Sequence, residues 1–392
     1  NLIRFVSSHE VGHTLGLRHN MGSSSKTPVD SLRSKNWVEA NGHTASIMDY
    51  ARFNYVAQPE DNINQSGLFP HIGDYDKWAI KWGYTYTGVG DEADKKINNK
   101  WIIDALSKSD RVWFGGEGFN ADPRAQSEDL SDNAVKASEY GIKNLQVIIK
   151  NLPEWTKEEG DRYENLNDMY GQLVSQFNRY MGHVAKNIGG VNETFKSIEE
   201  PGDVYTPTAV ATQKQAMQFF HTQLFTTPKW LMDASILNKF ANPVSNERVQ
   251  TIQTSILKSL LDKGRLYRII TSQTRFGASS YALNEMMDDL RKGLFSDVSK
   301  ADIYRRNLQK TFVSQLDEML NPSSSAAASA GGIRLGAPSA DVENTDVVSE
   351  AKAQLKKLSA SLQAAKASAT EATAVNHIND LQDRIKQALD PK

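Results

Sequence analysis

Leu2, Phe5 and Val6 recur at helical spacing on the side that also presents His9 and His13, which predicts a helix over residues 1–15. The pattern then lapses. Residues 20–75 are rich in Gly, Ser, Asn, Asp and Pro and hold no sustained period, so loops and turns are expected to dominate there. Asp74 to Tyr84, with Trp78, Ile80 and Trp82, predicts a short helix ending near Gly83. From about residue 100 helical spacing returns over 132–152, 160–187, 208–225, 245–271, 280–294 and 301–320, with few strand signals. Breakers at Pro153, Gly189–Gly190, Pro201, Pro228 and Pro243 bound these stretches.

Residues 322–345, with the run Ser323 to Ala330 followed by Gly331–Gly332, have the composition of a low-complexity linker. Beyond it Leu355, Leu358, Leu362 and Ala365 mark one amphipathic helix; Ile378, Leu381, Ile385 and Leu389 mark another. Their registers do not match, and the break falls near Ala369–Thr373, which favours a helical hairpin over one continuous coiled coil. There is no internal repeat. The expected fold class is mainly α.

Length and composition narrow the function. A chain of 392 residues buries at least one sizeable core and is long enough for two or three domains. Lys and Arg number 45 against 47 Asp and Glu, so charge gives no case for binding nucleic acid or an anionic membrane. No apolar run reaches membrane-spanning length, and no signal peptide is visible. Cysteine is absent, so disulfides play no part and a metal site must be built from histidine and carboxylates.

Such a site is written at the start of the chain. Residues 9–19 read His-Glu-Val-Gly-His-Thr-Leu-Gly-Leu-Arg-His. Four residues of separation put the imidazoles of His9 and His13 on one helical face, aimed at one ion. Glu10 lies beside them, placed to take a proton from a zinc-activated water. Gly16 permits the left-handed turn that ends the helix and swings His19 round as a third ligand. Three protein ligands leave the fourth zinc position open, the arrangement of a catalytic site. Five fixed positions, each a residue of a few per cent abundance, coincide by chance on the order of once in ten million starting points.

The motif His-Glu-x-x-His-x-x-Gly-x-x-His resembles that of the metzincins, whose second hallmark is a methionine turn under the zinc. Ser46-Ile47-Met48-Asp49-Tyr50 is similar to the Ser-x-Met-x-Tyr form of that turn in astacins and serralysins. The resemblance implies that Met48 floors the three imidazoles and that Tyr50 approaches the metal as a displaceable ligand. Ile72-Gly73-Asp74-Tyr75-Asp76, leading into Ala79-Ile80 and Trp82-Gly83-Tyr84, resembles the helix after the methionine turn. Asp122-Pro123-Arg124 through Asn144-Leu145 resembles a large family of bacterial zinc-dependent metalloproteases that carry a helical region behind a metzincin core. The likeness is tight over 1–85 and looser to about 320. Metzincin catalytic domains begin with a twisted sheet, whereas this chain opens on the zinc helix at Asn1; an upstream segment of the same protein is therefore expected as a partner. In its absence Leu2, Ile3 and Phe5 must be buried by some other surface.

The expected organisation is a metzincin core over 1–95, a helical domain over 96–321, a linker over 322–346 and a helical hairpin over 347–392. The expected activity is that of a zinc metalloendopeptidase, with one zinc on His9, His13 and His19, Glu10 as general base, Tyr50 as oxyanion donor and a peptide as substrate. Full activity is expected only with the upstream segment present. The resemblance also implies a bacterial protein that is periplasmic or extracellular, the latter including attachment to the cell surface. Two other readings remain open: a zinc-bearing non-catalytic scaffold, and an interaction module in the helical region that the zinc site braces.

Several residues are given plainer roles. His43 lies three residues before Ser46, near enough to line the cleft, but is expected at the surface or in a loop; His71, His183, His221 and His377 are expected to be structural. Asn36-Trp37-Val38-Glu39 is faintly similar to the downstream glutamate of thermolysin-like enzymes, but three histidines already fill the site. Trp37, Phe53 and Tyr55 are expected in core packing rather than in a pocket wall.

Overall fold

A computed structural model describes residues 2–51, 53–117, 121–243, 248–322 and 344–391. The chain is mainly helical. Fourteen α-helices are named here in order: α1 (Leu2–Thr14), α2 (Lys35–Asn41), α3 (Asp74–Tyr84), α4 (Asp91–Leu106), α5 (Ala134–Trp155), α6 (Glu164–Ala185), α7 (Val210–Phe220), α8 (Ala234–Leu237), α9 (Arg248–Leu260), α10 (Lys263–Phe276), α11 (Leu283–Phe295), α12 (Ile303–Leu320), α13 (Asp346–Lys366) and α14 (Ala372–Leu389). The strands described are two short ones, Val191–Glu193 and Tyr205–Pro207, which pair with each other. No described helix is long and apolar enough to cross a membrane.

The sequence pattern located most of these elements and missed some. α4 was not foreseen: its first ten residues are polar or charged apart from Ala93 and Ile97, and none of its side chains is buried. The stretch expected over 245–271 is two helices, because Asp262 caps a new one by accepting from Arg265 N–H at 3.0 Å. Pro153 sits inside α5 rather than bounding it. The loop region contains α2 and several single 3₁₀ turns, too short to leave a period.

The chain divides into two compact units, residues 1–152 with 179–206, and 153–178 with 207–392. This differs from the division drawn from sequence, whose boundary after residue 95 falls inside α4. Residues 96–152 are held in the first unit by specific bonds. Asn144 Nδ2 donates to the carbonyls of Tyr55 and Ala57 at 2.9 Å each, and Leu130 N–H donates to the Tyr55 hydroxyl at 3.1 Å. Val29, Leu32, Val38, Ala51, Val56, Leu130 and Ala137 form a core there, against which Trp37 and Tyr55 pack. Arg111 secures α2 and α3, donating to Asp74 Oδ2 at 2.6 Å and to the Asn41 carbonyl at 2.8 Å.

In the second unit the expected hairpin is present as α13 and α14, with Ser359 Oγ bonded to Gln382 Oε1 at 2.8 Å. It packs with α11 and α12 through polar contacts in an apolar setting. Arg291 Nε donates to Gln354 Oε1 at 2.7 Å, and buried His377 meets Gln309 Oε1 at 2.7 Å. The expected linker falls, over 323–343, outside the described residues.

Candidate metal centre and active site

α1 stops sharply where the motif requires it. Gly16 has φ +84°, a conformation that strains any side chain with a Cβ. Gly16 N–H donates to the His13 carbonyl at 2.9 Å and Leu17 N–H to the Gly12 carbonyl at 3.1 Å, the two bonds of a Schellman ending. The reversal returns His19 to the face that carries His9 and His13. Their ring centroids lie 4.9 Å (His9–His13), 5.3 Å (His9–His19) and 4.6 Å (His13–His19) apart. One ring nitrogen from each lies within 4.8 Å of the others, an arrangement found nowhere else among the described residues.

Backbone carbonyls decide which nitrogens face inward. His9 Nδ1–H donates to the Ile47 carbonyl at 2.8 Å, and His13 Nδ1–H donates to the Leu17 carbonyl at 2.9 Å. A neutral imidazole donating from Nδ1 keeps its lone pair on Nε2. His13 Nε2 lies 3.1 Å from His19 Nε2. Two lone pairs that close repel unless a proton or a cation lies between them. Tetrahedral zinc at about 2.0–2.1 Å from each nitrogen would set them roughly 3.3–3.4 Å apart. The donor set fits zinc. Burial, followed by the neighbouring His13 and His9, holds the His19 pKa down and favours the neutral form that a metal needs.

Met48 lies directly beneath the zinc helix. It is fully buried, and a Cβ added to Gly12 would come within 2.3 Å of its Sδ, so α1 approaches the methionine through its glycine. Asn20 N–H donates to the Met48 carbonyl at 3.0 Å, tying the segment after His19 to the same turn. Tyr50 is 38% exposed, with its ring 5.3 Å from that of His9 and 4.7 Å from that of His19. Its hydroxyl makes no hydrogen bond among the described residues; the ring lies against the imidazoles instead.

The chain belongs to the Met-zincin family. The family's model matches residues 1–302, more than three quarters of the chain. No curated protein and no solved structure matches. Membership implies zinc binding and metallopeptidase-type chemistry, in keeping with the donor set just described.

Two further residues of this Met-zincin support the centre and were not singled out from sequence. Buried Asp76, on α3, accepts from Ser46 Oγ at 2.6 Å and from the N–H groups of Ile47 and Gly73 at 2.7 Å each. Because the Ile47 carbonyl receives His9 Nδ1–H, Asp76 fixes the peptide that orients His9. Burial raises the Asp76 pKa, and its three donors oppose that rise. Glu117 pairs with Arg18 at 2.7 Å and sets a carboxylate oxygen 4.0 Å from His19 Nδ1. Its pKa is lowered, chiefly by the Arg18 hydrogen bond. The signal for Asp76 was its place within the Gly73–Asp76 resemblance; Glu117 left none, being 98 positions beyond His19.

Other expectations fare unevenly. Glu10 is exposed beside His9, its carboxylate free of hydrogen bonds among the described residues. Glu39 stands outside the histidine cluster, accepting from Asn64 N–H at 3.4 Å. His43 lies in a loop but not at the surface: it is fully buried, and burial depresses its pKa to about 3. His183 and His377 are buried, as structural histidines are. Trp37 and Tyr55 pack into the core, while Phe53 remains 44% exposed against Phe69. Leu2 and Ile3 are not covered by another surface, being 57% and 83% exposed.

Proposed function

We propose that the chain is a zinc-dependent metalloendopeptidase that hydrolyses peptide bonds with Glu10 as general base. The observation that carries this reading is the convergence of His9, His13 and His19 beside a free, solvent-facing Glu10 in a Met-zincin sequence. Zinc, when bound, supplies a Lewis acid that polarises a peptide carbonyl and brings the pKa of a water molecule towards about 7. The Ile47 and Leu17 carbonyls hold His9 and His13 in the tautomer that leaves Nε2 as ligand. The carboxylate of Glu10 takes the proton from the attacking water and passes it to the leaving amine. The phenol of Tyr50, against His9 and His19, donates a hydrogen bond to the carbonyl oxygen as negative charge develops there. Met48 gives the imidazoles an apolar floor.

The resemblance to large bacterial metalloproteases supports a bacterial protein acting in the periplasm or outside the cell on peptide or protein substrates. The test is a pair of measurements on Glu10→Gln. Zinc content by mass spectrometry should remain one per chain, while chelator-sensitive cleavage of casein should fall by about two to four orders of magnitude. Near-normal turnover by Glu10→Gln would remove the mechanism. Zinc binding that survives His9→Ala, His13→Ala and His19→Ala would remove the site.

A further inference from the structure

Behind the turn that joins His13 to His19 lies a cavity of about 410 Å³, within the range of roughly 300–1,000 Å³ for small-molecule sites. Its walls are largely aromatic and aliphatic, contributed by α3, α4 and the segment around Trp113, with Leu15, Gly16, Leu17 and Arg18 closing one side. The rings are ordered. Trp78 and Trp82 stack with 6.0 Å between centroids and only 14° between planes. Tyr75, Phe114 and Phe195 form a second near-parallel series, at 22° and 26°. Parallel faces around an apolar space select a planar aromatic group, which stacks on them and buries its surface.

The same turn that closes the cavity holds two of the three imidazoles. The Leu17 carbonyl receives His13 Nδ1–H at 2.9 Å, and Arg18 pairs with Glu117, which lies 4.0 Å from His19 Nδ1. Tyr84, another wall residue, donates its hydroxyl to the Leu15 carbonyl at 3.2 Å. We propose that this cavity binds a planar aromatic molecule of about indole size, and that its occupancy tightens zinc binding by bracing the turn between His13 and His19. The coupling rests on the zinc reading given above; the cavity itself does not. A filled cavity resists displacement of Leu17 and Arg18, so less conformational freedom is lost when the metal binds.

The experiment titrates indole into the full chain by calorimetry, with and without zinc, and measures zinc affinity by chelator competition with and without saturating indole. Saturable one-to-one binding is expected. Ala79→Phe, which fills the space, should weaken it about tenfold or more; Trp82→Ala, at a residue already 37% exposed and therefore safe for folding, should also weaken it. Saturating indole should tighten zinc about fivefold, and linkage requires zinc to tighten indole by the same factor. Absence of saturable binding, or binding that survives both substitutions with circular dichroism unchanged, would overturn the site. Binding with zinc affinity unmoved would overturn the coupling. If the chain takes up no zinc, the functional reading fails, and indole binding to the metal-free chain still decides the cavity.

Discussion

Asp76 is the most informative residue to perturb, because its three acceptor bonds join the methionine turn, α3 and, through Ile47, the orientation of His9. Replacing it with asparagine keeps the shape and turns one oxygen into an N–H₂ donor. Oδ2 serves two backbone N–H groups and Oδ1 serves the Ser46 hydroxyl, so whichever way the amide lies, a donor meets a donor. If the amide oxygen keeps Ile47 and Gly73, the Ser46 hydroxyl can rotate away and the cost is one bond to a charged group, about 1.5–3 kcal/mol. Alanine orphans both buried N–H groups at about 1–3 kcal/mol each, so about 2–6 kcal/mol is expected for Asp76→Ala. The fold and the metal should respond together, since supporting residues of this kind are worth roughly 10–100-fold in metal affinity. Urea unfolding of the zinc-free chain and chelator competition on the loaded chain measure the two effects separately. Wild-type zinc affinity in Asp76→Ala, which removes the acceptor of Ile47 N–H, would refute the claim that Asp76 positions His9 through Ile47. Wild-type stability in Asp76→Ala would refute the hydrogen-bond accounting itself.

Other perturbations follow from the same geometry. Tyr50→Phe should leave fold and zinc content intact and slow turnover by about 2.7–4 kcal/mol, roughly a hundredfold to a thousandfold; an unchanged rate would make Tyr50 a packing residue. Gly12→Ala removes a helix-interior glycine, a gain of about 1 kcal/mol, yet places its Cβ 2.3 Å from the buried Met48 Sδ, where overpacking costs about 1–3 kcal/mol. The net should be destabilising and accompanied by weaker zinc binding, and Met48→Ala should relieve part of the clash in a double-mutant cycle. Buried His183 has its pKa depressed to about 4 from 6.5, so the unfolded chain takes up a proton that the folded chain refuses between those values. The contribution is whole above pH 6.5 and is lost as pH falls towards 4, by about 3 kcal/mol, and His183→Asn should flatten the acid limb of stability against pH in urea titrations.

The metal centre was legible in the sequence because its parts are local. His9, Glu10, His13, Gly16 and His19 fall within two turns of one helix and the loop that ends it, and helical geometry alone carries the first two imidazoles to one face. Gly16 could be assigned its left-handed turn for the same reason: few other residues tolerate φ +84°. Met48 and Tyr50 were legible as a short motif at a plausible distance, though only the folded chain sets Met48 under Gly12 and Tyr50 against His9 and His19. The long amphipathic helices were legible too, since burial of one face imposes its period on the residues. What the tertiary structure decided is everything that depends on distant pairs. Asp76 meets the methionine turn across some thirty residues, Glu117 reaches His19 across 98, and Asn144 draws α5 to Tyr55 across 89. A single polar side chain leaves no periodic trace of the partner it will find. Burial of His43 belongs to the same class, because its neighbours arrive from elsewhere in the chain; so does the limit between the units, which depends on which surfaces meet and not on where composition shifts.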